Sequence, residues 1–168
     1  RENQVPLKAA AEALEGFTGY EGRQQIYETG KLTVIDDSYN ASPASMKAGL
    51  EALMSVHPGR RKIAVLADMK ELGPDEVSYH REIGAYIGAH LEEHMADEIL
   101  LLGDLAAEIR TGLLKARPDW EDCGNVQTFS DKESLSDALN NLLKDGDCIL
   151  FKGSNSMGLG PVAAAFCK

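Results

Sequence analysis

Short apolar runs alternate with stretches of helical spacing along most of this chain of 168 residues, and that alternation constrains the fold more than any other feature. The strand candidates are Gln25–Glu28, Lys31–Ile35, Ile63–Ala67, Glu98–Leu102, Val126–Phe129 and Cys148–Lys152. Between them, Met46, Leu50, Leu53 and Met54 share one face of a helix that His57-Pro58-Gly59 stops. His80, Ile83, Ile87 and Leu91 line a second helix, Leu105, Ile109 and Leu113 a third, and Leu135, Leu139, Leu142 and Leu143 a fourth. A short closing helix is expected from Pro161, since proline suits a first helical position. Strands separated by helices need crossover connections, so the sheet must be mostly parallel and covered on both faces. The expected class is therefore α/β, a Rossmann-like open sheet of six strands. The Gln25–Ile35 pair turns around Thr29-Gly30 as a local hairpin, which makes one strand antiparallel. Ahead of it, Leu7, Ala10, Ala11 and Leu14 predict a helix over residues 4–15, followed by a glycine-containing connector to residue 24.

A chain of this length suits one domain and buries about 70% of its unfolded surface, enough for a core without staples. Its net charge of −10 argues against nucleic acid and anionic membrane surfaces, both of which need a basic face. No apolar run approaches the ~20 residues of a membrane span, and no basic-then-apolar leader is present. Cys123, Cys148 and Cys167 lack metal or redox spacing and read as reduced thiols of a cytoplasmic protein. His57, His80, His90 and His94 make no metal-ligand pattern with them, and no metal site is expected. Because the chain starts at Arg1 rather than Met, it is expected to be a piece of a longer protein.

In a parallel sheet all strand C-terminal ends lie along one edge, where open α/β sheets place their ligands. Four polar turns follow strands here: Asp36–Asn40, Asp68–Glu71, Gly103-Asp104 and Lys152–Ser156. Polar turns also serve as helix caps, so convergence along one edge is the argument for a site, not polarity alone. Asp36 and Asp37 are adjacent in an extended run and must point to opposite faces. One can reach a ligand while the other orders the loop. Asn40 suits either a ligand or a turn. Lys152, beside Gly153, would suit a carboxylate or phosphate. His80, on an apolar face just after the second turn, reads as a satisfied core histidine. Gly158-Leu159-Gly160-Pro161-Val162-Ala163 fits a dinucleotide fingerprint in form but has no following strand or acid. No G-x-x-x-x-G-K-[ST] phosphate loop occurs in the chain.

These segments carry a family resemblance. Asp36-Asp37-Ser38-Tyr39-Asn40-Ala41-Ser42-Pro43 with Ser45-Met46 resembles the D-D-S-Y-N-A-N-P-x-S-M signature of the C-terminal domain of the Mur ligases, in their MurF branch. Val65–Gly73 resembles the V-L-G-D-M-x-E-L-G segment, followed by His80 as in the family. Phe151–Met157 resembles V-K-G-S-R-S-M, and Gly22-Arg23 the G-R at the junction of central and C-terminal domains. The four segments occur in order and span nearly the whole chain. Ala67 stands where the family usually has glycine, and Asn155 where arginine is common.

The resemblance implies a division into residues 1–24, the tail of a central ATP-binding domain with its hinge, and residues 25–168, the C-terminal domain. It implies part of an ATP-dependent, amide-forming ligase of peptidoglycan synthesis. In such enzymes ATP and Mg2+, held mainly by the central domain, activate the carboxylate of UDP-N-acetylmuramoyl-tripeptide, and the amine of D-Ala-D-Ala attacks it. Carried over by motif position, Lys152 and Ser154 would take the dipeptide carboxylate, and Asp37 and Asn40 would orient the amine or the nucleotide. Arg23, with Asp36 and Asn40, would contact the nucleotide, while Asp68, Met69 and Glu71 would line the cleft. The fragment, expected to be a monomer, would be inactive without its own N-terminal and central domains. Two other readings stay open: a stand-alone α/β module that binds a small ligand, and the equivalent domain of another amide ligase such as a folylpolyglutamate synthase.

Overall fold

The computed structural model describes residues 20–90, 95–121 and 125–168. The helix expected over residues 4–15, the first four residues of its connector (16–19), Leu91, His94 and Cys123 lie outside the described residues. Six strands are described: β1 (Gln25–Glu28), β2 (Thr33–Asp37), β3 (Lys62–Ala67), β4 (Glu98–Leu102), β5 (Val126–Phe129) and β6 (Cys148–Lys152). Helices α1 (Pro43–Ser55), α2 (Glu76–His90), α3 (Ala107–Ala116), α4 (Lys132–Leu142) and α5 (Gly160–Phe166) connect and follow them. The strands form one sheet in the order β1-β2-β6-β3-β4-β5. β1 pairs antiparallel with β2, and every other pair is parallel. The α/β class and the single antiparallel hairpin therefore match the sequence reading.

The strand pattern explains the two-layer burial. In β3, Ala64 and Leu66 face one core with Met46, Leu50, Leu53, Ile83, Ile87, Ile109 and Leu113 of α1–α3. Ile63, Val65 and Ala67 face the other, with Leu135 and Leu139 of α4 and Val162 of α5. Alternate residues of one strand thus serve opposite cores, so the central strands are apolar throughout.

Two strands differ in their bounds: β3 starts one residue early, at Lys62, and β2 is displaced at both ends. The sequence reading ends the second strand at Ile35, whereas β2 runs Thr33–Asp37. Its start is delayed because Gly30 (φ 81°) turns the hairpin and Thr29 Oγ1 accepts the N–H of Leu32. Its end is extended because β6 continues alongside, pairing Asp36 with Phe151 and Asp37 with Lys152. The two acids are strand residues, not turn residues.

Helix α1 starts abruptly after that strand. Ser42 is its N-cap and forms a reciprocal capping box with Ser45, with proline in the first turn. At its other end the buried Lys62 ammonium donates to the carbonyls of Val56 and His57, closing the carbonyl end of the helix. Both ends of α1 are thereby fixed, and the loop before it has little freedom.

Candidate functional site

The C-terminal ends of β2, β6, β3 and β4 are consecutive in the sheet, so the polar turns that follow them form one continuous edge. At its centre Asp37 and Lys152 are register partners on neighbouring strands. The Lys152 ammonium donates to Asp37 Oδ2 at 2.6 Å and to the carbonyl of Asn40 at 3.1 Å. Asp37 Oδ1 also accepts the backbone N–H of Gln24 at 3.2 Å. The pair therefore ties three segments together: the junction before β1, the loop before α1, and the end of β6.

Around it are two adjoining cavities. One, of about 320 Å³, is lined by Arg23, Gln24, Asp37, Asn40, Ser42, Ser45 and Lys152. The other, also about 320 Å³, is lined by Tyr39, Asn40, Lys70, Glu71, Ser154, Asn155 and Ser156. Asn40 is common to both. Arg23 lies over the Tyr39 ring, 4.4 Å from its centroid, a cation–π contact at the rim. The N–H of Tyr39 donates to the Gly22 carbonyl at 2.9 Å, which docks the junction on the loop.

The second cavity has a rigid floor. Ser154 Oγ accepts the N–H of Lys70 at 2.8 Å, and the N–H of Ser154 donates to the Asp68 carbonyl at 3.0 Å. Asp68 Oδ1 accepts the N–H of Ala106 at 2.7 Å, and Asp68 Oδ2 accepts from Lys70 Nζ at 2.8 Å. Gly103 (φ 110°) supplies the room, because a Cβ there would overlap the Asp68 carboxylate. His80 is fully buried. Its Nε2 accepts the N–H of Met69 at 2.9 Å, and its Nδ1 faces the Glu76 carbonyl at 2.7 Å. Only the neutral ring protonated at Nδ1 satisfies both partners.

The sequence-predicted residues therefore divide. Arg23, Asp37, Asn40 and Lys152 share the first cavity, and Asn40, Glu71 and Ser154 share the second. Lys152 and Ser154 line them from below: they are 1% and 5% exposed, and Lys152's charge is already balanced by Asp37. Asp68 stands behind the turn, with both carboxylate oxygens engaged. Met69 is corrected outright. Its side chain is fully buried in the α1–α3 core and lines neither cavity, because the turn points it inward while its N–H goes to His80. Asp36 also leaves this group. It points to the opposite face, where Oδ1 accepts from the N–H and Oγ of Ser38, the loop-ordering half of the expected pair. There it borders a separate cavity with Tyr27 and Cys167. Burial, then the nearby Cys167 and Asp36, push the Tyr27 phenol above its ordinary value. Burial, then Asp36, does the same to the Cys167 thiol.

Sequence reasoning missed Lys70 and Tyr39 as wall residues. Lys70 sat inside a turn already marked as polar, but nothing in the sequence said that its N–H would seek Ser154. Among the described residues, no group of three or more His, Cys, Asp or Glu side chains could hold a metal ion, and no helix is long and apolar enough to cross a membrane.

A family profile described as "Mur ligase, glutamate ligase domain" matches residues 22–155. The chain belongs to the Mur ligase family. This Mur ligase domain is 36% identical over 151 residues to the UDP-N-acetylmuramoyl-tripeptide–D-alanyl-D-alanine ligase of Bacillus subtilis, covering 89% of this chain and 31% of that protein. It is 38% identical over 144 residues to the enzyme of the same name from Synechocystis, covering 85% and 29%. Among solved structures, it is similar to the MurF ligase of Thermotoga maritima in complex with ADP, with a TM-score of 0.70 and 26% identity over 90% of this chain and 31% of that one. A MurF structure from Acinetobacter baumannii shares the fold at a TM-score of 0.78 and 24% identity, over 97% and 33%. The chain thus spans about a third of the length of the relatives it matches.

Proposed function

We propose that this Mur ligase domain is the substrate-binding and closing domain of a ligase that joins D-Ala-D-Ala to UDP-N-acetylmuramoyl-tripeptide in the cytoplasm. The observation that carries the reading is the pair of adjoining cavities meeting at Asn40, inside the segment that resembles the MurF signature. One side of the site is polar, preformed and open, as half of a cleft between domains should be. Residues 1–24 are read as the tail of a central domain and its hinge, and 25–168 as the closing domain. The named substrates of the matched relatives support the choice of dipeptide and tripeptide.

In this reading the dipeptide lies over the second cavity. Its carboxylate meets the Lys70 ammonium at the rim, with Ser154 and Lys152 holding the wall behind it. Glu71 and Asn40 orient its amine, which must be held near its target to gain the large effective concentration of a preassembled pair. Arg23, on its Tyr39 platform, faces the nucleotide side together with Asn40. The residues present fit edge contacts to a nucleotide and not a phosphate cradle, so ATP and Mg2+ would be held mainly by the central domain. When bound, ATP supplies the activation of the tripeptide carboxylate. This chain contributes positioning, and closure that keeps water out.

The chain alone should therefore neither hydrolyse ATP nor make an amide. NMR titration of the chain should show shifts at Asn40, Lys70 and Glu71 with D-Ala-D-Ala and none with glutamate or folate. Ligation by the isolated chain, or shifts with folate and glutamate instead, would overturn the reading.

A further inference from the structure

The turn between β3 and α2 forms one wall of the second cavity; Asp68 ties its start to Ala106 and the Met69 side chain anchors it in the core, but neither fixes the path of the backbone at Lys70 and Glu71. Glu71 is in the left-handed region (φ 63°), which a non-glycine residue adopts only when its surroundings impose it. Two hydrogen bonds fix the backbone just before it. The N–H of Lys70 goes to Ser154 Oγ, at the cavity, and the N–H of Met69 goes to His80 Nε2, in the core. The His80 ring is itself held by the Glu76 carbonyl one helical turn earlier in α2. Ser154 is a wall residue, but His80 is fully buried and touches neither cavity.

We propose that His80 is a positioning residue for the dipeptide site: by accepting the Met69 N–H it sets the backbone path that brings Lys70 and Glu71 to the cavity wall. The proposal rests on the ligase reading above for the identity of the substrate. It assigns the two ring nitrogens different weights. Nδ1 anchors the ring to its own helix, a bond that any buried histidine on a helix can make. Nε2 alone reaches the turn.

That difference can be tested with two amides. Glutamine at position 80 puts its carbonyl oxygen near the Nε2 position and keeps an acceptor for Met69. Asparagine reaches only the Nδ1 position and leaves the Met69 N–H buried without a partner. The variants are made in the full-length ligase that carries this domain. His80→Gln should leave the KM for D-Ala-D-Ala within about threefold of the parent, whereas His80→Asn should raise it about tenfold with kcat nearly unchanged, the size expected for one lost wall-fixing hydrogen bond. Both lose one of two ring hydrogen bonds, so a purely structural histidine predicts equal effects on KM. Hydrogen exchange of the peptide spanning residues 66–74 is read on the same samples, and should quicken in His80→Asn but not in His80→Gln. Equal KM values and equal exchange in the two variants would overturn the proposal. If the parent enzyme does not ligate D-Ala-D-Ala, the functional reading falls, and the exchange contrast alone decides whether His80 holds the turn.

Discussion

Replacing Lys152 with methionine isolates the energetics of the site. The aliphatic stem is nearly conserved, so the change removes a charge and its hydrogen bonds with little loss of packing. The ammonium lies 2.6 Å from Asp37 Oδ2, and the side chains are 1% and 11% exposed. At an effective dielectric near 20 the attraction at that separation is on the order of 6 kcal/mol. Desolvation of two ions costs several kcal/mol each, so the intact pair is close to neutral against an apolar replacement. Breaking it is different. Among the described residues, Asp37 would keep only the Gln24 N–H at 3.2 Å as a donor, and an unpaired buried charge costs about 3–5 kcal/mol. That is a large share of the ~5–15 kcal/mol stability of an ordinary domain. Urea unfolding followed by the fluorescence of the single tryptophan, Trp120, measures it directly. With a slope of roughly 2 kcal/mol per molar urea, the midpoint should fall by about 1.5–2.5 M. The double variant Asp37→Leu/Lys152→Met should recover to within about 1 kcal/mol of the parent, because it removes both desolvation penalties. A loss below about 1 kcal/mol in Lys152→Met would refute the reasoning, since it would mean the pair is solvated. So would a double variant as unstable as the single one.

Two further outcomes follow from the fold. Gly103→Ala should cost about 2–4 kcal/mol, because its Cβ would overlap the Asp68 carboxylate and break the Ala106 contact. Gly30→Ala, at φ 81° with nothing within 4 Å of an added Cβ, should cost only about 1 kcal/mol, and thermal melts showing equal losses would discredit the steric account. Glu28 accepts from His57 and Thr33, and these hydrogen bonds hold its carboxyl below the ordinary 4.5. A depressed folded value means the contribution is present above 4.5 and is lost as pH falls through the folded value. Melting temperatures of the parent and Glu28→Gln, measured from about pH 6 to 3, should therefore converge on the acid side. Parallel curves would rule out the coupling.

How much of this was legible beforehand depended on the range of the interaction concerned. Gln25–Glu28, Glu98–Leu102, Val126–Phe129 and Cys148–Lys152 were readable to the residue, because an apolar run bounded by turn residues is a local signal. His57-Pro58-Gly59 marked the stop of α1, which ends at Ser55, for the same reason. The neutral, doubly bonded His80 was readable as a core residue from its place on an apolar helical face, though its partner at Met69 was not.

The end of β2 was not legible, and the reason bears on the site itself. Two consecutive acids normally end a buried strand, because charge is expelled from an apolar sheet. Asp37 remains in the strand because its counter-charge arrives 115 positions later in sequence, at the matching level of the neighbouring parallel strand. Asp36 remains because Ser38, two residues on, folds back to it. No local pattern can report the first of these, since parallel pairing brings together residues separated by whole crossover units. The same long-range pairing places Asn40 where the two cavities meet, by holding its carbonyl on the Lys152 ammonium. The acids that made the segment look like a solvent-facing turn are therefore the reason it can be a fixed wall: one is neutralised from β6, the other is spent on its own loop, and Asn40, its Oδ1 accepting the N–H of Ala41 at 2.8 Å, is held where it lines both cavities.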